Sequence, residues 1–152
     1  MEDTRTMPQP PRTTRPRPGR PRAARSEVTH AQERRFPGDA AELANVRQFL
    51  RETVATRDAG EPAFGEFVAT ELATNSIVHA RTDFRVRVGF TPNCLRIEVS
   101  DDSSDPPLLG RNQPAVHGLE MVDRLVNDWG YKLDGDSGGK TVWADVALRS
   151  KP

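Results

Sequence analysis

The sequence predicts an α/β (α+β) two-layer sandwich, a mixed and mostly antiparallel sheet of four to five strands with three helices on one face. Three observations point there. Apolar residues recur at helical spacing in three separate stretches, their period switches to 2 in four others, and the short-period stretches come as adjacent pairs joined by turn residues. At 152 residues there is room for one such domain and one core.

The opening of the chain is excluded from that core. Residues 1–35 hold nine arginines against four acidic residues, a net of +5 in a chain of zero formal charge, so the remainder carries −5. Six of the 13 prolines fall between Pro8 and Pro21 and apolar residues are almost absent, so burial would not offset the entropy of ordering this segment. A disordered tail is expected over 1–35 and a folded domain over 36–149. The tail reads either as an electrostatic arm for nucleic acid or an acidic partner, or as a solvated leader without a specific role. It has no aromatics interleaved for stacking on bases, and its arginines are spaced by proline rather than set along a helix. The leader is the preferred reading, and nucleic acid is not the expected partner.

No apolar run follows these charges, as a secretory signal needs, and no stretch approaches the length of a membrane span. A soluble, cytoplasmic protein is expected. The single cysteine, Cys94, allows no internal disulfide and no cysteine-based metal site, which suits a reducing compartment; it reads as a small filler beside a turn.

From residue 36 the elements follow in order. Phe36 before Pro37 anchors the chain's entry and could add an edge strand. Asp39 can cap a helix whose apolar positions Leu43, Val46, Phe49, Leu50 and Val54 keep helical spacing, and Asp58-Ala59-Gly60 ends it. A second helix is expected from about Glu61, with Pro62 in its first turn, to His79 or Ala80. Phe84, Val86, Val88 and Phe90 then alternate with Arg85, Arg87 and Gly89, Thr91-Pro92-Asn93 turns the chain, and Leu95, Ile97 and Val99 alternate with Arg96, Glu98 and Ser100. A long loop fills 101–118, with Pro106, Pro107 and Pro114, and a third helix starts around Gly118 with Leu119, Met121, Val122, Leu125 and Val126 as its stripe. Trp129 to Leu133 and the alternating Val142, Ala144, Val146 and Leu148 give the last two strands, around a turn over 134–139. Trp129 and Trp143 read as core or sheet-face fillers.

One stretch does not read as ordinary helix. In ELATNSIVHA, residues 71–80, a regular helix stacks Glu71, Asn75 and His79 on one side, directly after the apolar Phe64, Phe67 and Val68. Polar groups hidden without partners cost roughly 1–3 kcal/mol each, so the row implies something for it to meet. Downstream, IEVSDDS closes a strand, HGLEMVDRL opens a helix and GGKTVWADV opens a strand. These pieces, in this order, resemble the nucleotide-binding pattern of the GHKL ATPase superfamily, and look closest to the standalone bacterial anti-sigma factor serine/threonine kinases with a histidine kinase-like ATPase domain. The likeness covers roughly 36–149 and implies a Bergerat-type ATP-binding fold with ATP and Mg²⁺ as cofactors.

The resemblance also assigns roles. Asn75 matches the magnesium ligand, and a neutral amide oxygen suits a hard cation that keeps waters and phosphate oxygens around it. Glu71 matches the general base that takes the proton of a serine hydroxyl. Asp101 matches the carboxylate that accepts the adenine amino group, with Asp102 the alternative reader. The usual glycines after it are replaced by Ser103 and neighbours in Asp101-Asp102-Ser103-Ser104-Asp105. Ser103 opens a lid that runs to His117, and in it Arg111 reads as a fork for phosphate oxygens or as a solvated loop charge. Gly118 and Leu119 open a helix whose first N–H groups suit an anion, although Val116 stands where the pattern has glycine. Thr141 matches the threonine that holds a water or the aspartate near adenine; it is also a common strand residue. His79 is expected to pack rather than react.

The resemblance thus implies a kinase that phosphorylates an anti-sigma factor antagonist and restrains an RNA polymerase sigma factor, in a family whose members commonly pair as homodimers. A non-catalytic module that sequesters a partner protein is the rival expectation, and a nucleic-acid-associated regulator acting through the tail a third.

Overall fold

The computed structural model describes residues 27–105, 117–135 and 138–150, with the backbone alone for 117–119. Helices and strands follow in the order β1 (Thr29–Phe36), α1 (Leu43–Ala55), β2 (Glu61–Pro62), α2 (Gly65–Asn75), β3 (Phe84–Phe90), β4 (Cys94–Asp101), α3 (His117–Leu125), β5 (Asp128–Asp134) and β6 (Gly139–Arg149). Among the described residues six strands form one sheet in the order β1-β3-β4-β6, with β5 and the short β2 both paired to the far edge of β6. Every pairing is antiparallel, so the expected mixed sheet of four to five strands is corrected to an antiparallel one of six.

The two-layer α+β arrangement holds. Inward residues stack across the sheet in registered rows: Val86 with Val99 and Val142, Val88 with Ile97 and Ala144, Phe90 with Leu95 and Val146. These residues share one buried cluster with Val46, Phe49 and Leu50 of α1, Val68, Leu72 and Ala73 of α2, and Val122 of α3. All three helices therefore cover the same face of the sheet. The opposite face carries Arg85, Arg87, Arg96, Glu98 and Asp145, as the period of 2 requires. Trp143 also lies on that side; it is buried beneath the Arg96 guanidinium, 4.4 Å from the ring centre, and Arg96 in turn forks onto Asp145. Trp129 belongs to the core, its indole N–H donating to Asp123 Oδ1 at 2.8 Å.

Two expected boundaries move. β1 takes in residues 29–35, which composition assigned to the tail, because pairing with β3 supplies backbone partners that a polar, charged segment needs no core to use. Its one buried residue is Phe36, packed on Phe84 at 5.6 Å and Phe49 at 6.0 Å. The second helix starts four residues later than expected. Phe64 takes a left-handed φ of 59°, and Glu61 and Pro62 pair with Arg149 and Leu148 at the sheet edge, where proline's missing donor does no harm. Asp39 caps as expected, its Oδ1 accepting from Ala41 N–H at 2.9 Å, though a 3₁₀ turn over Ala40–Glu42 precedes α1. Among the described residues no helix is long and apolar enough to cross a membrane.

Candidate functional site

The row singled out in the sequence begins on the last turns of α2, and the end of that helix is irregular. After Asn75 the helix widens into a π-turn over Ser76–Ala80, closed by Arg81 N–H donating to Ser76 O at 2.9 Å with Arg81 itself left-handed at φ 56°. Such wide turns are uncommon and recur at functional positions. Here the turn takes His79 out of the regular four-residue stacking with Asn75, so the expected single row of three is a pair, Glu71 and Asn75, followed by an offset imidazole.

Asn75 is buried, and its Oδ1 accepts no hydrogen bond; among the described residues it is the one buried side-chain oxygen or nitrogen so placed. An amide carbonyl held this way forfeits roughly 1–3 kcal/mol unless a donor or a cation meets it. One turn earlier, the half-buried Glu71 carboxylate has no hydrogen bond or ion pair with a described residue, and burial pushes its pKa up. Together they offer one neutral oxygen and one carboxylate. No group of three or more His, Cys, Asp and Glu side chains that could cage a metal occurs among the described residues. A single neutral amide oxygen of this kind would suit Mg²⁺, which keeps waters and phosphate oxygens around it.

Asp101 ends β4 facing inward, opposite Lys140 at the start of β6. Both are sealed: the Lys140 side chain is 1% exposed and that of Asp101 0%. The ammonium donates to both carboxylate oxygens, at 2.9 Å to Oδ1 and 3.0 Å to Oδ2. Ser76 O–H donates to Oδ2 at 2.7 Å and Ser103 N–H to Oδ1 at 3.0 Å. Three donor groups making four hydrogen bonds fill the four lone-pair sites of the carboxylate. Two buried charges so close require this completeness, since each alone would be costly to desolvate. Gly139 allows the approach, because a Cβ there would collide with the Asp101 carbonyl oxygen. His79 lies within the influence of this pair; burial and then the positive charge of Lys140 push its pKa down.

The expected site residues therefore divide. Asp101 is inward and Asp102 exposed, as the alternation requires, yet the carboxylate expected to face adenine is occupied by Lys140, Ser76 and Ser103. Ser103 closes an Asx turn onto Asp101, and its hydroxyl accepts from Asp105 N–H at 3.1 Å. Thr141 is on the wrong face. It pairs with Ser100 on the outer side of the sheet, hydroxyl to hydroxyl at 2.8 Å, and cannot hold a water beside Asp101. A one-residue step along a strand reverses the side chain, so the inward neighbour of Asp101 is Lys140 rather than Thr141. Gly118 and Leu119 do begin α3, at its second and third residues. Arg111 lies outside the described residues, as does most of the expected lid.

Sequence reasoning passed over Ser76 and Lys140. The signal for Lys140 was present in the strand itself, since Val142, Ala144 and Val146 face inward and the same alternation carries back to residue 140. A scan against models of protein families matched none, and a search of curated proteins found no match.

Proposed function

We propose that the end of α2, with the adjoining π-turn and the facing ends of β4 and β6, is the nucleotide site of a histidine kinase-like, Bergerat-type domain. On this reading the chain is an ATP- and Mg²⁺-dependent protein serine/threonine kinase of the anti-sigma factor type. Its substrate is an anti-sigma factor antagonist and the partner it restrains is an RNA polymerase sigma factor. A cytoplasmic location and a homodimer go with the reading.

The observation that carries it is the unpaired, buried Oδ1 of Asn75 one turn from Glu71. Asn75 would hold the metal, which when bound neutralises and orients the triphosphate oxygens. Glu71 would accept the proton of the substrate serine as that oxygen bonds to the γ-phosphorus and the bond to ADP breaks. Its raised pKa supports the assignment, because a base works best when its pKa approaches the working pH. The test is transfer of label from γ-labelled ATP to a serine-bearing antagonist. Wild-type protein is expected to transfer, and Glu71→Ala to lose about 10²–10⁴-fold. Equal rates for the two proteins would remove Glu71 from the chemistry.

One observation favours a second reading, a regulatory module that sequesters a partner with little dependence on ATP. The residue expected to recognise adenine is already engaged by the protein. Such a module would bind its partner equally well as wild type and as Glu71→Ala, with no label transferred by either.

A further inference from the structure

The Lys140–Asp101 pair occupies the one carboxylate that the nucleotide reading sets against a purine base. We infer that Lys140 is a specificity-determining residue that makes this site indifferent to the group at position 6 of a purine, so that it takes purine nucleoside triphosphates as a class rather than ATP alone. The inference rests on the nucleotide-site reading above and concerns what that site selects.

The argument is one of supply. A carboxylate offers about four acceptor positions, and Asp101 has all four met: twice by Lys140, at 2.9 and 3.0 Å, by Ser76 O–H at 2.7 Å, and by Ser103 N–H at 3.0 Å. To accept from an adenine amino group it must release one of them. Giving up one of the two Lys140 bonds leaves an ammonium whose side chain is 1% exposed with a single partner, release of Ser76 strands a hydroxyl on a residue itself 1% exposed, and release of Ser103 N–H undoes the turn that closes on Asp101. No exchange gains a bond, and each takes a hydrogen bond from a donor that the protein already holds against the carboxylate. The pair is also held in place from the backbone, because the close passage of Gly139 against the Asp101 carbonyl fixes the start of β6 where Lys140 must point at β4.

The consequence for selectivity follows from the asymmetry of hydrogen-bond recognition. A site with a free buried acceptor rejects an analogue lacking the matching donor by a large factor, about 10⁴ or more, because the acceptor is then left unmet. A site whose acceptor is met from within has nothing to lose when the donor is removed. Affinity then comes from the triphosphate and its metal at Asn75, which are common to every purine nucleotide.

The experiment is equilibrium titration of the full chain, in excess Mg²⁺, with ATP, GTP and purine riboside triphosphate, which carries hydrogen in place of the amino group. The three dissociation constants are expected to agree within about tenfold. Lys140→Thr removes the cation and opens room beside Asp101, and is expected to raise the preference for ATP over the riboside analogue by about 100-fold or more. A wild-type preference for ATP of about 100-fold would overturn the inference and leave the nucleotide site standing. An unchanged preference in folded Lys140→Thr would do the same. No binding of any of the three would overturn both. Should Lys140→Thr fail to fold, the wild-type comparison decides alone.

Discussion

Removing the Lys140 ammonium should be among the costliest single changes available in this chain. Lys140→Met keeps the length and much of the volume of the side chain but leaves the Asp101 carboxylate, 0% exposed, with no counter-charge. Breaking a buried pair from one side typically costs about 3–5 kcal/mol, and nothing here allows relief by water, since both partners are sealed. With a urea slope of about 1.5 kcal/mol/M for a domain of this size, that loss lowers the unfolding midpoint by about 2–3 M. Asp101→Asn, which strands the ammonium instead, should cost a similar amount. The double variant Lys140→Met/Asp101→Asn carries neither charge, and its amide can still accept from Ser103 N–H and bond Ser76. It is therefore expected to be more stable than the sum of the single losses implies, by at least about 2 kcal/mol. Urea unfolding of the four proteins, followed by tryptophan fluorescence, measures the cycle. Single losses below about 1 kcal/mol, or additivity within about 0.5 kcal/mol, would refute the claim that the two groups form a mutually dependent buried pair.

Three other expectations follow. Glu71 has a raised folded-state pKa, so its ionised form opposes folding; Glu71→Gln should be more stable than wild type near pH 7, and the advantage should vanish as the pH falls below the ordinary carboxylate value. A thermal melt series from pH 4 to 7.5 reads this, and a constant difference across the range would contradict it. His79 is shifted the other way, so the stability associated with its neutral form is present above its ordinary pKa and is lost as the pH falls through the depressed value. Wild type should therefore lose melting temperature between pH 6.5 and pH 5 more steeply than His79→Gln, and parallel curves would remove His79 as the cause. On the outer face, Arg96→Ala uncovers Trp143 and breaks a two-point contact with Asp145, which should red-shift the tryptophan emission and cost about 1–2 kcal/mol.

How far the sequence could be read depended on period and on pairing. The alternation in β3, β4 and β6 fixed which residues face the core, and the helical spacing of Val46, Phe49 and Leu50 placed α1. β1 was harder, because Thr29–Arg35 carries no alternation of apolar residues; it joins the sheet through backbone bonds, which leave no mark in composition. The late start of α2 depends on the left-handed turn at Phe64, a conformation a bulky residue seldom takes and that no local pattern announces. Within the site, Glu71 and Asn75 were legible from their spacing on a helix. The family resemblance sets Thr141 beside Asp101, one position off along β6, while the strand's own alternation points to Lys140. Ser76 was hidden for a different reason: the π-turn, which breaks the regular helical period, follows Asn75 and brings its hydroxyl to Asp101.

The account turns on the Asn75 carbonyl, a buried acceptor that no described residue meets. Isothermal titration of MgATP into wild type and Asn75→Ala tests it most directly. Wild type is expected to bind with measurable heat that disappears when Mg²⁺ is chelated, and Asn75→Ala, folded to the same melting temperature within a few degrees, is expected to show none. Equal binding by the two proteins, or no binding by wild type, would contradict the claim that Asn75 holds the metal of a bound triphosphate.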